Sequence, residues 1–235
     1  MNKLTEDKSI EKKNIDFFSN NLNYQNNVGK IDTYQILFNK ITQNVLGSRR
    51  LLDIGHGGSF DYDTKKVKEI IGLDLEEMIK EELLPKNIKL KVGSALDIPE
   101  DLKNFDTTLL VMLIHHLIGK NVSENLENLD KCLYEAKKTL AENGKLVIVE
   151  SCVPYWFYFV EKLLFKLSSI LIIKFLKHPP AFQFTKDLII QSLKKNNYKN
   201  ISVNKIKQGR YILQYGFKFP TFLTPVETVI FTAHK

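Results

Sequence analysis

Between residues 50 and 150, short apolar runs alternate with longer stretches in which apolar residues recur every three or four positions. Leu51-Leu52-Asp53-Ile54 reads as a short buried strand. Similar runs at Glu69–Asp74, Ile88–Val92, Thr107–Ile114 and Lys145–Val149 predict four more strands. The spacing between them predicts helices over Leu75–Leu84 and Ser123–Leu140, with an Asn143-Gly144 turn before the fifth strand. Upstream, Ile31, Tyr34, Leu37, Phe38, Ile41 and Val45 share one face of a helix over Ile31–Leu46, and Gly47 suits its C-cap. Alternating strands and helices predict an α/β fold with a doubly wound, mostly parallel sheet. The C-terminal part differs. A helix over Lys186–Asn196 precedes strands at Asn200–Ile206 and Thr228–Ala233, joined by a loop that carries Pro220 and Pro225. Two strands with no helix between them predict an antiparallel pair closing the sheet.

The length of 235 residues fits one α/β domain spanning residues 1–235. Within it we expect an N-terminal helical cap over 1–49, frayed in its first dozen residues, and a helical lid over 152–183. The net charge of +7 points weakly to anionic partners. Only three of the 34 basic residues are arginine (Arg49, Arg50 and Arg210). Nucleic-acid recognition favours the bidentate guanidinium, so a nucleic-acid partner is not expected. Cys132 and Cys152 have no metal spacing and form no disulfide framework. No metal is expected. The polar N-terminus lacks an apolar signal region, which makes the cytoplasm the simplest location.

The first strand runs straight into Gly55-His56-Gly57-Gly58. Three glycines in four positions let the backbone turn sharply and approach a ligand closely. The dinucleotide fingerprint would need a third glycine at position 60, which is Phe60, and no Gly-Lys-Ser/Thr follows for a phosphate loop. What remains is Asp53-x-Gly55-x-Gly57. A carboxylate there repels phosphate and attracts an ammonium or a sulfonium. S-adenosylmethionine carries both cations and no phosphate. The alternative is an ordinary strand with a glycine-rich turn.

The order of motifs resembles the class I S-adenosylmethionine-dependent methyltransferases. Ile71-Gly72-Leu73-Asp74-Leu75 is similar to the family's second strand and its ribose-binding acid, 21 positions after Asp53. Gly93-Ser94-Ala95-Leu96-Asp97 is similar to the third-strand segment, and Phe105 to Leu117 to the fourth strand and its turn. Glu135–Leu140 and Asn143–Glu150 are similar to the helix and fifth strand that follow. The likeness covers residues 51–151 and, more loosely, the final strand pair. It implies a Rossmann-like fold with a seven-stranded sheet and S-adenosylmethionine as cofactor. It also implies that Asp53, Gly55, Gly57, Asp74, Leu75, Leu96 and Asp97 bind that cofactor. Asp53 would anchor the loop and the ammonium group, Asp74 the ribose hydroxyls, and Asp97 the adenine amino group. Ser59 to Lys66 is polar where the family usually has an apolar-faced helix. A short or distorted first helix is therefore expected.

The acceptor side rests on fewer residues. His115 and His116 follow a buried strand at the end where ligands bind such sheets, and either could deprotonate a hydroxyl. Packing is their alternative role. Glu150, Tyr155 and Tyr158 are candidates for holding the acceptor. The stretch Val153–Lys177 is rich in aromatic and aliphatic residues but interrupted by Glu161, Lys162, Lys166, Lys174 and Lys177. It is expected to be a lid over the acceptor, an amphipathic surface resting on lipid, or a plain core-covering helix pair. The function expected is methylation of a small-molecule acceptor, with oxygen on a metabolite or sugar-like intermediate favoured. A lipid or quinone acceptor reached through residues 153–177 is the second reading, and a non-catalytic cofactor-binding module the third. The fourth-strand turn Ile114-His115-His116-Leu117 lacks the Asn/Asp-Pro-Pro-aromatic signature of DNA amino-methyltransferases.

Overall fold

The computed structural model describes residues 30–76, 83–171, 181–214 and 217–235. Nine strands are found there: β1 (Arg50–Ile54), β2 (Glu69–Asp74), β3 (Ile88–Val92), β4 (Phe105–Val111), β5 (Leu140–Cys152), β6 (Lys199–Lys205), β7 (Tyr211–Gln214), β8 (Phe217–Pro220) and β9 (Glu227–His234). The α-helices are α1 (Asp32–Val45), α2 (Val122–Thr139), α3 (Tyr155–Leu171) and α4 (Lys186–Lys195). Seven strands form one sheet in the order β3-β2-β1-β4-β5-β9-β6. β1 to β5 pair in parallel, and β9 runs antiparallel between β5 and β6. This is the expected doubly wound sheet with its closing antiparallel pair. The order reverses at β1, which lies between β2 and β4, and that reversal opens a crevice at the carboxyl ends of the strands.

The central strands are apolar on both sides because both faces are covered. Leu52, Ile54, Leu110, Leu146 and Ile148 pack with Leu129, Cys132, Leu133 and Ala136 of α2 and with Ile189 and Leu193 of α4. Their sequence neighbours Leu51, Leu109, Val147 and Val149 face the other way, onto Leu37, Ile41 and Val45 of α1. Each such fully buried side chain contributes about 1.5–3 kcal/mol. The inward face of α1 is narrower than its sequence suggests. Thr33 takes an inner position, its hydroxyl bonded to the Tyr211 carbonyl at 2.8 Å, while Phe38 stays 40% exposed.

The shortening expected of the first helix goes to its limit, and three other local expectations need correction. No α-helix forms between β1 and β2; a single 3-10 turn, Thr64–Lys66, is the only helical piece of that connection. Its polar run offers no apolar stripe; Tyr62 and Val67 are buried in the core and Phe60 packs against it. β4 stops at Val111, because Met112 adopts φ +49 and turns the chain into a 3-10 turn at Ile114–His116. β5 starts at Leu140, and Asn143-Gly144 lies inside a bulge: Phe105 pairs with Leu140, but Thr107 pairs with Lys145. The segment before β9 is no plain loop, since β7 and β8 pair there as a separate hairpin. The helix expected over Leu75–Leu84 and the first part of the N-terminal cap fall largely outside the described residues.

Candidate functional site

β1, β2 and β3 run out at one level: Ile54 pairs with Leu73, and Asp74 with Val92. The glycine turn begins there. Gly55, Gly57 and Gly58 have φ of +73°, +55° and +83°, conformations that cost other residues energy. Gly55 is also crowded, since a Cβ on it would lie 2.5 Å from Leu113 Cδ1. The glycine turn and the turn after β4 therefore touch. Asp74 clamps the loop. Its Oδ2 accepts from the Gly57 N–H and its Oδ1 from the Leu75 N–H, both at 2.8 Å. Each carboxylate oxygen keeps a second lone pair for a ligand hydroxyl.

His56 forms the inner wall. Burial lowers its pKa, against the opposing pull of Asp74, so the ring is held neutral. Its Nδ1 accepts from the Gly58 N–H at 3.1 Å, which places the hydrogen on Nε2. The ring stacks on Phe60 with centroids 5.1 Å apart.

Asp53 sits deeper than its expected role requires. It is 2% exposed, and burial pushes its carboxyl well up, with Asp61 and Asp74 adding to the effect. The Tyr62 hydroxyl faces that carboxyl and partly offsets the rise, although it falls short of full hydrogen-bond geometry. Burial likewise raises Asp61. Asp53 therefore lies beneath the glycine turn, covered by Tyr62, while Asp74 stands at its surface. In the turn beyond β3, Asp97 is exposed and Leu96 half-buried; the Asp97 N–H donates to the Ser94 carbonyl at 3.1 Å and closes that turn.

A buried side-chain contact at this edge joins the turn after β4 to β5. Glu150 is fully buried, and its Oε1 lies 2.7 Å from His115 Nδ1. Oε1 also accepts from the Ser151 N–H at 2.7 Å, and Oε2 accepts from the His115 N–H at 3.3 Å. The Ser151 hydroxyl is 3.1 Å from Glu150 Oε1 and 2.8 Å from Gln183 Oε1, and its single hydrogen serves one of them at a time. The Gln183 N–H in turn donates to Glu161 Oε2 at 3.1 Å. His115 is thus held by a buried carboxylate, which selects the tautomer with hydrogen on Nδ1 and leaves the Nε2 lone pair available. The His116 ring packs on that of His115, with centroids 4.1 Å apart.

The candidate acceptor residues separate. Glu150 is enclosed and saturated, so it meets His115 rather than an acceptor. Tyr158 is buried, packed edge-on against Phe182. Tyr155 lies 73% exposed on the outer face of α3. Ser151 and Gln183 were not singled out in the sequence, and Glu161 only as a charge interrupting an apolar stretch; their signal there is polarity inside apolar surroundings. Both cysteines are buried and free, and burial pushes the Cys132 thiol up to about 12. Among the described residues no group of three His, Cys, Asp or Glu could hold a metal. A cleft of about 440 Å³, lined by Arg49, Arg50, Lys68, Glu69 and Asp106, lies at the opposite, amino-terminal edge of the sheet and contains none of these groups.

Residues 52–148 match the model of a methyltransferase domain. Solved structures share the fold at low identity. A [4+2]-cyclase, SpnF, is 14% identical with a TM-score of 0.59, over 85% of this chain and 79% of its own. The YcgJ protein of Bacillus subtilis is 16% identical with a TM-score of 0.57, over 86% and 97%. The N-methyltransferase NodS of Bradyrhizobium japonicum, solved with S-adenosyl-L-homocysteine, is 10% identical with a TM-score of 0.52, over 86% and 85%. No curated protein matches the sequence.

Proposed function

We propose that this chain, which has the class I S-adenosylmethionine-dependent methyltransferase fold and carries the methyltransferase domain over residues 52–148, methylates a hydroxyl oxygen of a small-molecule acceptor. The donor is S-adenosylmethionine. The residues present suit it: left-handed glycines admit a close backbone approach, the clamped Asp74 carboxylate suits two ribose hydroxyls, and exposed Asp97 suits an amino group. The donor supplies a methyl on a positively charged sulfur, which departs as a neutral thioether. The protein aligns the partners and excludes water, which contributes up to about 7–11 kcal/mol in the most favourable cases.

The 2.7 Å contact between His115 Nδ1 and the buried Glu150 carries the choice of oxygen. An amine already offers a lone pair, whereas a hydroxyl must lose its proton as the new bond forms. His115 Nε2 takes that proton while the O–CH3 bond forms and the S–CH3 bond breaks, and Glu150 stabilises the resulting imidazolium. Glu150 is a positioning residue. SpnF, described as a cyclase, is a reminder that the fold alone does not select the reaction.

The test uses methyl-labelled donor with catechol and aniline as paired probes, alongside calorimetry with S-adenosylhomocysteine. Transfer to catechol and not aniline is expected, with kcat reduced at least 100-fold in His115→Ala and partly restored by added imidazole. Glu150→Gln should lower kcat with cofactor affinity unchanged. Transfer to aniline alone would overturn the oxygen reading. Absence of cofactor binding would overturn the methyltransferase assignment itself.

A further inference from the structure

The outer face of α3 is apolar from its first residue to the end of the segment whose side chains are described. Tyr155, Trp156, Phe159, Val160, Leu163 and Leu164 are all exposed, Trp156 by 62% and Leu163 by 75%. Their spacing of one, four, five, eight and nine positions sweeps one continuous half of the helix. The opposite side, Tyr158, Glu161 and Phe165, is buried against the protein. Surface helices of soluble proteins carry charge on the outward half, and here, between residues 155 and 165, only Lys162 does. Six neighbouring apolar side chains form a patch of the kind that marks an interaction site.

A second apolar group leaves the same edge of the sheet. Cys152 at the end of β5 pairs with Glu227 at the start of β9, so the segment before β9 emerges beside the start of α3. That segment exposes Phe222 by 84%, together with Leu223, Phe217 and Tyr211. Exposed Lys207, Arg210 and Lys218 lie among them. The same edge carries the glycine turn and the His115–Glu150 pair.

We propose that this edge docks on an anionic lipid bilayer, with the outer half of α3 laid in the headgroup–acyl boundary. Three observations favour lipid over a protein partner. Aromatic and long aliphatic side chains mixed with lysine suit a boundary that is apolar on one side and wet on the other. The chain's net charge is +7, and the cations around the patch are exposed. The patch also has no acidic residue on the exposed half of α3 between residues 155 and 165. No described helix is long and apolar enough to cross a membrane, so contact is along the surface. Docking there would hold the site's mouth at the interface, where an amphiphilic acceptor resides.

Trp156 is the single tryptophan of the chain and lies on the patch, so its emission reports docking directly. With vesicles of phosphatidylglycerol, a blue shift and quenching by acyl-brominated lipid are expected, and phosphatidylcholine should give far less of both. Phe159→Asp with Leu163→Asp should weaken vesicle binding at least tenfold, with unfolding monitored by circular dichroism to confirm an intact fold. Lys162→Glu should weaken it about fivefold. Unmoved emission with both lipids would overturn the proposal. So would undiminished vesicle binding by the folded double variant. A blue shift without lipid, accompanied by concentration-dependent dimers in sedimentation, would assign the face to a second copy instead. None of these readouts depends on methyl transfer, so the docking face and the proposed reaction fail separately.

Discussion

Gly55→Ala should destabilise the protein far more than Gly47→Ala, although both glycines have φ near +80°. Gly47 is at φ +85° with nothing within 4 Å of a built Cβ. Alanine there pays only the left-handed backbone cost, about 1–2 kcal/mol. Gly55 is at φ +73° with a built Cβ 2.5 Å from Leu113 Cδ1 and 2.9 Å from its Cδ2. Both atoms belong to a side chain, so Leu113 can shift, but it is partly buried against the core and has little room. Overpacking of this kind costs about 1–3 kcal/mol, giving about 2–5 kcal/mol in all. Urea denaturation at equilibrium reads both variants, with the midpoint falling and the slope unchanged. Gly55→Ala combined with Leu113→Ala tests the cause: the double variant should lose less than the two single losses together, because the clash is gone. Equal destabilisation by the two glycine variants would refute the claim that Leu113 sets the cost. The comparison matters for function because Leu113 leads directly into the His115 turn, so the same crowding should also disturb the base proposed there.

Burial raises the Asp53 carboxyl in the folded protein, so its contribution to stability is full below about pH 4 and is lost as pH rises through the folded value. Asp53→Asn should therefore gain stability relative to the parent as pH rises from 4 toward neutrality; a flat difference in urea midpoints across that range would refute the burial reading. Glu227 is the opposite control. Hydrogen bonding from Lys205, and then from Lys186, lowers its pKa, so its contribution is present at neutral pH and disappears on acidification. Glu227→Gln should cost stability at pH 7 and nothing near pH 3, as thermal melts would record. Asp74→Ala removes a carboxylate that would bind two ribose hydroxyls, each charge-assisted bond being worth about 1.5–3 kcal/mol, so S-adenosylhomocysteine should bind at least tenfold more weakly by calorimetry. Unchanged affinity would remove Asp74 from the site.

The framework of β1 to β5 was legible because two buried faces leave runs of Leu, Ile and Val that little else in the chain imitates. Asp74 could be located at the end of β2 because it closes an apolar run, and Asp97 in the turn after β3 because Gly93 and Pro99 bracket that turn. What escaped the sequence is what depends on strand order. His115 and Glu150 lie 35 positions apart and meet only because β4 and β5 are neighbours, with Val111 paired to Val149. Read alone, Glu150 looked like an acceptor ligand; its burial beside His115 gives it a different task. The depth of Asp53 is hidden for a similar reason, since nothing in the polar run Ser59–Lys66 signals that Tyr62 folds back over it. The β7–β8 hairpin was hidden by its short strands and by Pro220, which ends β8 inside a stretch whose prolines point to a loop.

The missing helix after the glycine turn bears on which ligand the turn can hold. In phosphate-binding turns, a helix follows the glycines and directs its N-terminal dipole and free N–H groups at the anion. Here a 3-10 turn of three residues stands nine positions beyond Gly55, and the Gly57 N–H that such a site would offer is already bonded to Asp74. The turn is surrounded by Asp53, Asp61 and Asp74 instead. Burial keeps the first two shifted toward their neutral forms, so a phosphate would find no positive partner, while an arriving cation would favour their ionisation and be attracted in turn. The loss of a standard helix and the surplus of acids thus act in the same direction. Together they suit a ligand carrying ammonium and sulfonium charge, and they do so through groups that the glycine spacing by itself does not reveal.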